Sequence, residues 1–200
     1  MSSIVWAIFL SGVSSVAGAD SNWPMGRGDL ARTGKASGDL PEKPQRLWRF
    51  KMKGAVEAEA AISSGTVYVG SARGQFCALD LATGQPRWTQ EFETGFDAAP
   101  CVVKDRVFLM DTAGTLRCLN TLNGQTLWTT ETASENHSSP AWVEGKLLVG
   151  SYNQNLFCLN AESGKTVWKF ETGGPVHCAP MIAGGRAHVA GCDSKLHAIE

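Results

Sequence analysis

The sequence predicts an all-β propeller of four-stranded antiparallel blades, and three features of its 200 residues carry that prediction. Trp48, Trp88, Trp128 and Trp168 recur every 40 residues without insertion. Other columns keep step with them. Gly84, Gly124 and Gly164 precede three of the tryptophans, Asp80, Asn120, Asn160 and Glu200 form a polar column further back, and Ala60, Pro100, Pro140 and Pro180 follow. Each unit also holds a short apolar run: Val67-Tyr68-Val69, Val107-Phe108-Leu109, Leu147-Leu148-Val149 and Ala187-His188-Val189. A period of about 40 to 45 with several such runs is that of a propeller blade. The i, i+3, i+4, i+7 spacing of a helical repeat is missing.

The elements follow in chain order. Residues 1–19 read as a signal peptide: residues 4–16 are mostly apolar yet too short to span a bilayer, and Ala17-Gly18-Ala19 is a cleavage site, so the mature chain begins after Ala19. Residues 20–44 form a leader. A lone outer strand D spans 45–51, full blades span about 56–91, 96–131 and 136–171, and a partial blade spans 176–200. In the second blade strand A is 101–104, B 106–110, C 115–120 and D 125–131. Lys104-Asp105, Ala113-Gly114 and Leu122-Asn123-Gly124 join them as tight turns. Strand B is apolar at consecutive positions, so both of its faces need cover, which stacked blades provide. The tryptophan, set among polar neighbours early in strand D, reads as a wedge against the adjacent blade. The Asp/Asn column reads as turn chemistry that satisfies nearby amides.

The lone strand at 45–51 and the partial blade at 176–200 are complementary, so a small closed four-bladed ring is one expectation. The preferred expectation is half of an eight-bladed ring or a truncated propeller. A homodimer completing the larger ring is a third.

Composition excludes several classes. Eighteen basic and nineteen acidic residues leave a formal charge of −1, and no basic run or basic-aromatic stripe is present, so nucleic acid is not an expected partner. After the signal peptide no second hydrophobic segment follows, and the body is not expected to be integral to a membrane. The six cysteines include no CxxC pair. Cys118 and Cys158 share a small-residue column with Ala78 and Ala198; Cys77, Cys101, Cys178 and Cys192 are scattered. Export permits disulfides, and buried free thiols are equally compatible.

One column carries candidate function. Glu57, Asp97, His137 and His177 stand three residues before the Ala/Pro position, at the entry to innermost strand A, where they are expected to ring the channel mouth. Two imidazoles and two carboxylates are metal-ligand types. Separate blades hold them apart, because stacked sheets lie ~10 Å from one another, so solvated polar groups around a channel are the preferred reading. His188 is expected to pack in strand B, and His197 has no evident partner. His137-Ser138-Ser139 lacks an orienting acid. Gly26-Arg27-Gly28-Asp29, in a flexible leader, lacks the strand and helix of a phosphate loop, and its Arg-Gly-Asp reads as a chance adhesion tripeptide.

The segments 78–88 and 158–168, with Val67-Tyr68-Val69-Gly70-Ser71 leading to Gly74, resemble the tryptophan-docking repeats of the pyrroloquinoline-quinone-like (PQQ-like) propeller family over residues 46–200. The stretch from Trp23 to Asp29, continuing to Gly34, resembles the leader of bacterial exported members. That family includes quinoprotein alcohol dehydrogenases and a scaffold of outer-membrane barrel assembly, so the resemblance implies a fold more than a chemistry. No adjacent Cys-Cys pair of the quinoprotein kind is present. The expected function is an exported, periplasmic or secreted, non-catalytic module that binds a protein partner. The alternative is a PQQ-dependent dehydrogenase, or a degenerate relative, with quinone and calcium over the channel.

Overall fold

The computed structural model describes residues 22–36 and 42–200; the expected signal peptide lies outside the described residues. Four antiparallel meanders follow one another. The first comprises β1 (Ala61–Ser63), β2 (Thr66–Gly70), β3 (Gln75–Asp80) and β4 (Pro86–Glu91). The second comprises β5 (Cys101–Val103), β6 (Arg106–Met110), β7 (Thr115–Asn120) and β8 (Thr126–Glu131). The third comprises β9 (Ala141–Val143), β10 (Lys146–Ser151), β11 (Asn155–Asn160) and β12 (Thr166–Glu171). The fourth has three strands, β13 (Met181–Ala183), β14 (Arg186–Ala190) and β15 (Leu196–Ile199). The expected B and C strands of the second blade coincide with β6 and β7. Strand A stops one residue early, because Lys104 turns to a φ of 54°.

Alternation along the middle strands builds the core. Successive side chains of a strand point to opposite faces, so Val107 and Leu109 of β6 join Tyr68, Phe76 and Ala78 of the first blade. Phe108 and Met110, one residue out of phase, join Leu147, Val149 and Phe157 of the third. Leu148 of β10 faces the other way, toward Ala187 and Val189 of the fourth. A strand between two blades is thus covered on both faces, and β2 is buried along its whole length. The outer strands β4, β8 and β12 face water at alternate positions.

The tryptophans join the blades. Trp48 donates its indole N–H to the Leu81 carbonyl (2.9 Å), Trp88 to Thr121 (2.8 Å) and Trp128 to Ala161 (3.2 Å). Each acceptor belongs to the C–D turn of the next blade, and each indole lies against the glycine of that turn. A Cβ built on Gly84, Gly124 or Gly164 would come within 2.5–2.6 Å of Trp48, Trp88 or Trp128 respectively. Those glycines also hold φ near +70°, which side chains rarely adopt. Asp80, Asn120 and Asn160 close the same turns from inside: each side-chain oxygen accepts the backbone N–H two residues on, at 3.1, 2.8 and 3.0 Å. Trp168 is half-buried against the Leu148, Cys158 and Ala187 cluster.

Residues 45–51 correct the expectation of a lone outer strand, since they join no sheet and do not complete the fourth blade. Trp48, with Phe50 and Met52, packs on Val67, Val69, Cys77 and Leu79 of the first blade. The indole bond to Leu81 holds the segment against that face. All six cysteines are free, four of them buried. Burial pushes the Cys101 thiol up to about 12 and the Cys118 thiol up to about 11.

Gly124→Ala therefore combines backbone strain with displacement of Trp88, whereas Gly145→Ala meets strain alone, because nothing lies within 4 Å of its added Cβ. The expected cost in denaturant unfolding is ~1–3 kcal/mol at Gly145 from the left-handed backbone, and clearly more at Gly124. Equal costs at the two positions would show that the indole does not depend on the missing Cβ.

Candidate functional site

The leader occupies the axial side of the blades, in contrast to the flexible tether expected from sequence. Trp23 pairs antiparallel with Ile62 of β1, exchanging bonds of 2.7 and 2.8 Å. The Pro24 carbonyl accepts the Val102 amide of β5 (2.7 Å), and the Leu30 carbonyl accepts the Ile182 amide of β13 (2.9 Å). The segment thus ties the innermost strands of blades one, two and four. Met25 is buried in the core cluster of the second and third blades. Arg32 donates to the Pro180 carbonyl (3.0 Å) and back to the Gly26 carbonyl (3.1 Å). Gly26 has no room for a side chain larger than hydrogen without moving its neighbours: an added Cβ would lie 3.1 Å from both Ala99 and Arg32. The Asp29 carboxylate accepts both the hydroxyl (2.5 Å) and the amide (3.0 Å) of Thr33. The side-chain bond from Thr33 holds Asp29 below its ordinary range. That carboxylate is engaged within the leader turn, so the Arg-Gly-Asp tripeptide serves local structure.

A cavity of about 460 Å³ remains beside the leader, lined by Arg27, Arg32, Glu57, Glu59, Asp97 and Cys178 among others. Arg27, Glu57 and Glu59 are exposed, and Asp97 is half-buried. Glu59 accepts the Arg27 amide (2.9 Å). Among the described residues, two polar atoms of the lining, Arg32 Nη2 and Asp97 Oδ1, are buried without a hydrogen-bond partner.

Three residues of the four-residue column enter two neighbouring pairs. Asp97 bonds His137 Nδ1, while Glu135 stands 3.4 Å from the other ring nitrogen. His177 bonds the Tyr152 hydroxyl at 2.5 Å. Tyr152 lies between the two imidazoles, its ring centroid 5.1 Å from His137 and 4.2 Å from His177. Burial, then the charges of Glu135 and Asp97, raise the Tyr152 phenol. The phenol therefore stays protonated and shares a hydrogen bond with His177 Nδ1 whose direction follows the imidazole tautomer. Glu57 stays apart in the cavity. The column does not converge on one centre: among the described residues no group of three or more His, Cys, Asp or Glu could hold a metal ion. Asp97 and His137 meet across adjacent blades, and Tyr152 and Glu135 complete the contacts around the imidazoles.

Several participants escape the 40-residue columns because they break the repeat. Tyr152 follows Ser151 where the other blades have Ala72, Thr112 and Cys192. Glu59 stands where the others have Ala99, Ser139 and Ala179, a departure visible in the alignment of the units. His197, without a partner in the sequence reading, bonds Asp193 at 2.7 Å and meets the Phe170 ring edge-on. His188 is half-buried in β14, opposite Met181 and Ala198.

A buried ion pair supports the same face. Asp111 is fully buried; it accepts the Thr115 amide (2.8 Å), the Thr94 hydroxyl and the Arg117 guanidinium, which also lies 4.9 Å over the Phe92 ring. Ser71 and Ser151 occupy its column in neighbouring blades. Arg117→Met strands the carboxylate and is expected to cost ~3–5 kcal/mol in unfolding experiments. The double change with Asp111→Ser is expected to recover most of that loss. A loss below ~1 kcal/mol for the single variant would mean that Asp111 is hydrated.

On the rim, the Arg87 guanidinium 2.8 Å from Asp80, aided by Thr83, lowers that carboxyl to about 2. A depressed folded-state value favours folding above the unfolded value of ~3.9, and the contribution disappears as pH falls through the folded midpoint. Carboxyl NMR titration is expected to place Asp80 near that value, and Arg87→Ala to move it upward. An unshifted Asp80 in the parent protein would contradict the contact.

Successive four-stranded meanders, joined by indoles and closed on their inner side by a leader, define a β-propeller repeat protein. The family model described as outer membrane protein assembly factor BamB matches residues 39–143 and 113–200, and the chain belongs to this family of PQQ-like propeller repeats. Comparison with curated protein sequences finds no match. Among solved structures, BamB from Moraxella catarrhalis is similar with a TM-score of 0.70 and 20% identity, over 76% of this chain and 49% of that one. The computationally designed Ika4 protein is similar with a TM-score of 0.71 and 18% identity, over 79% of this chain and 100% of that one. Quinohemoprotein alcohol dehydrogenase from Comamonas testosteroni gives 0.64 and 19%, over 75% of this chain and 27% of that one. The chain thus spans about half the length of the Moraxella BamB. At these identities the structural likeness shows the fold.

Proposed function

We propose that the chain is an exported, non-catalytic propeller module that binds another protein along its outer rim. The observation that carries this reading is the apolar character of that rim. Leu122 (84% exposed), Leu127 (43%) and Val167 (53%) lie on or beside β8 and β12. Both strands end their sheets, leaving one backbone edge unpaired. A partner segment can add to such an edge by main-chain hydrogen bonds, with side-chain contacts supplying selectivity. Charges at Glu131, Lys169 and Glu171 discourage indiscriminate edge pairing. Membership of the assembly-factor family supports the partner-binding role and, with the signal peptide expected at 1–19, a periplasmic or secreted location.

The cofactor reading fits the axial residues poorly. Calcium takes six to eight oxygen ligands, whereas one oxygen of Asp97 is engaged by His137 and Glu59 is engaged by the leader. Pyrroloquinoline quinone carries three carboxylates, and the cavity sets the three carboxylates of Glu57, Glu59 and Asp97 against only two guanidiniums, Arg27 and Arg32. We derive no chemical step through it.

A photo-crosslinking residue placed at Leu127 or Val167 in cells is expected to give discrete adducts with a protein other than the chain itself. The same probe at Glu57, on the axial side, is expected to give none of them. Adducts equal at all three sites would overturn the rim reading, and adducts only with a second copy would replace it with self-association. Turnover of an alcohol with quinone and calcium added would instead support the dehydrogenase alternative.

A further inference from the structure

The axial cavity is independent of the rim and has a composition of its own. Its walls segregate by charge. The leader supplies Arg27 and Arg32; the first two blades supply Glu57, Glu59 and Asp97. Glu57 and Asp97 from one column and Glu59, Ala99, Ser139 and Ala179 from the column two residues on all line this space. In the latter column three of the four residues are small, and they leave the space that the cavity occupies.

Internal partners use only part of this charge. Glu59 accepts a leader amide, and Arg32 spends two of its nitrogens on backbone carbonyls. One cationic donor, Arg32 Nη2, and one anionic acceptor, Asp97 Oδ1, remain buried and unpaired. Such groups cost free energy until they are hydrogen-bonded. A cavity lined by side chains of both signs suits a ligand that itself carries both charges. A volume of about 460 Å³ lies within the usual range for small-molecule sites.

We propose that the cavity is a binding site for a small zwitterion of the amino-acid class, with its anionic group toward Arg27 and Arg32 and its ammonium toward Glu57 and Asp97. Ala99 and Ala179 give the apolar part of the ligand a surface, and the leader forms one wall of the site as well as closing the axis.

Isothermal titration of the exported protein with the standard L-amino acids tests this, followed by the amide and the N-acetyl derivative of the tightest binder. Saturable binding of a zwitterion is expected, with loss of ~10-fold or more in affinity when either charge is removed. Arg27→Gln and Glu57→Gln, both at exposed side chains, are each expected to weaken binding ~10-fold while leaving the melting temperature unchanged. Triglycine separates the two sources of this chemistry: preference for it over glycine assigns a short peptide, and the reverse assigns a free amino acid. No saturation by any zwitterion up to about 10 mM, equal affinity for the singly charged derivatives, or unchanged affinity in both variants would overturn the proposal. None of these outcomes depends on whether the rim captures a protein.

Discussion

An indole laid over a glycine is the contact on which the other blade contacts depend. The sheets share no strands, so their relative placement rests on side chains and a few loop bonds. The tryptophan supplies a large apolar face to the joint and a donor that reaches a turn carbonyl of the next blade. The glycine is required twice over, once for the left-handed turn that brings the carbonyl into reach and once for the absent Cβ that lets the ring approach. The Asp or Asn four residues earlier holds the turn in shape. Trp88 and Trp128 set two such joints between blades, and alternate residues of β6 then fall between its neighbours so that the core fills from both sides.

The leader addresses a different problem. Inner strands of three residues leave amides directed at the axis, and buried backbone groups need partners. The carbonyls of Trp23, Pro24 and Leu30 accept the amides of Ile62, Val102 and Ile182. The same short segment carries two arginines into a region where the blades present carboxylates. Structural closure and the charge pattern of the cavity therefore come from one stretch of chain, and a substitution at Arg32 affects both.

The face that gathers the histidines shows how a repeat acquires individuality. Members of one column on neighbouring blades meet, as Asp97 and His137 do, and further contacts arise where one unit departs from the others. Tyr152 bridges His137 and His177 because it replaces smaller residues, and Asp111 is paired only because its own blade also holds Arg117. The aspartate bonded to His137 comes from the preceding blade, 40 residues away. The Tyr152 and Asp111 contacts lie outside the repeating columns, whereas Asp97 and His137 share one.

Much of the fold was legible before any coordinates, because the period is local information repeated. Trp48, Trp88, Trp128 and Trp168 set the unit, turn glycines set the hairpins, and the apolar runs marked the strands that later proved doubly covered. The segment at 45–51 was misread for the same reason: its tryptophan matches the outer-strand column, but strand formation needs a neighbouring edge and packing placed it elsewhere. The leader was read as a tether because isolated backbone pairing leaves no hydrophobic alternation in the sequence. By itself the sequence determined the blade, its four-strand order and the indole joints, since each depends on residues a few positions apart in a repeating frame. Only the tertiary structure decided that the leader lies along the axis, that Tyr152 meets His177 and that opposite charges share one cavity, because those contacts join segments whose separation no local pattern encodes.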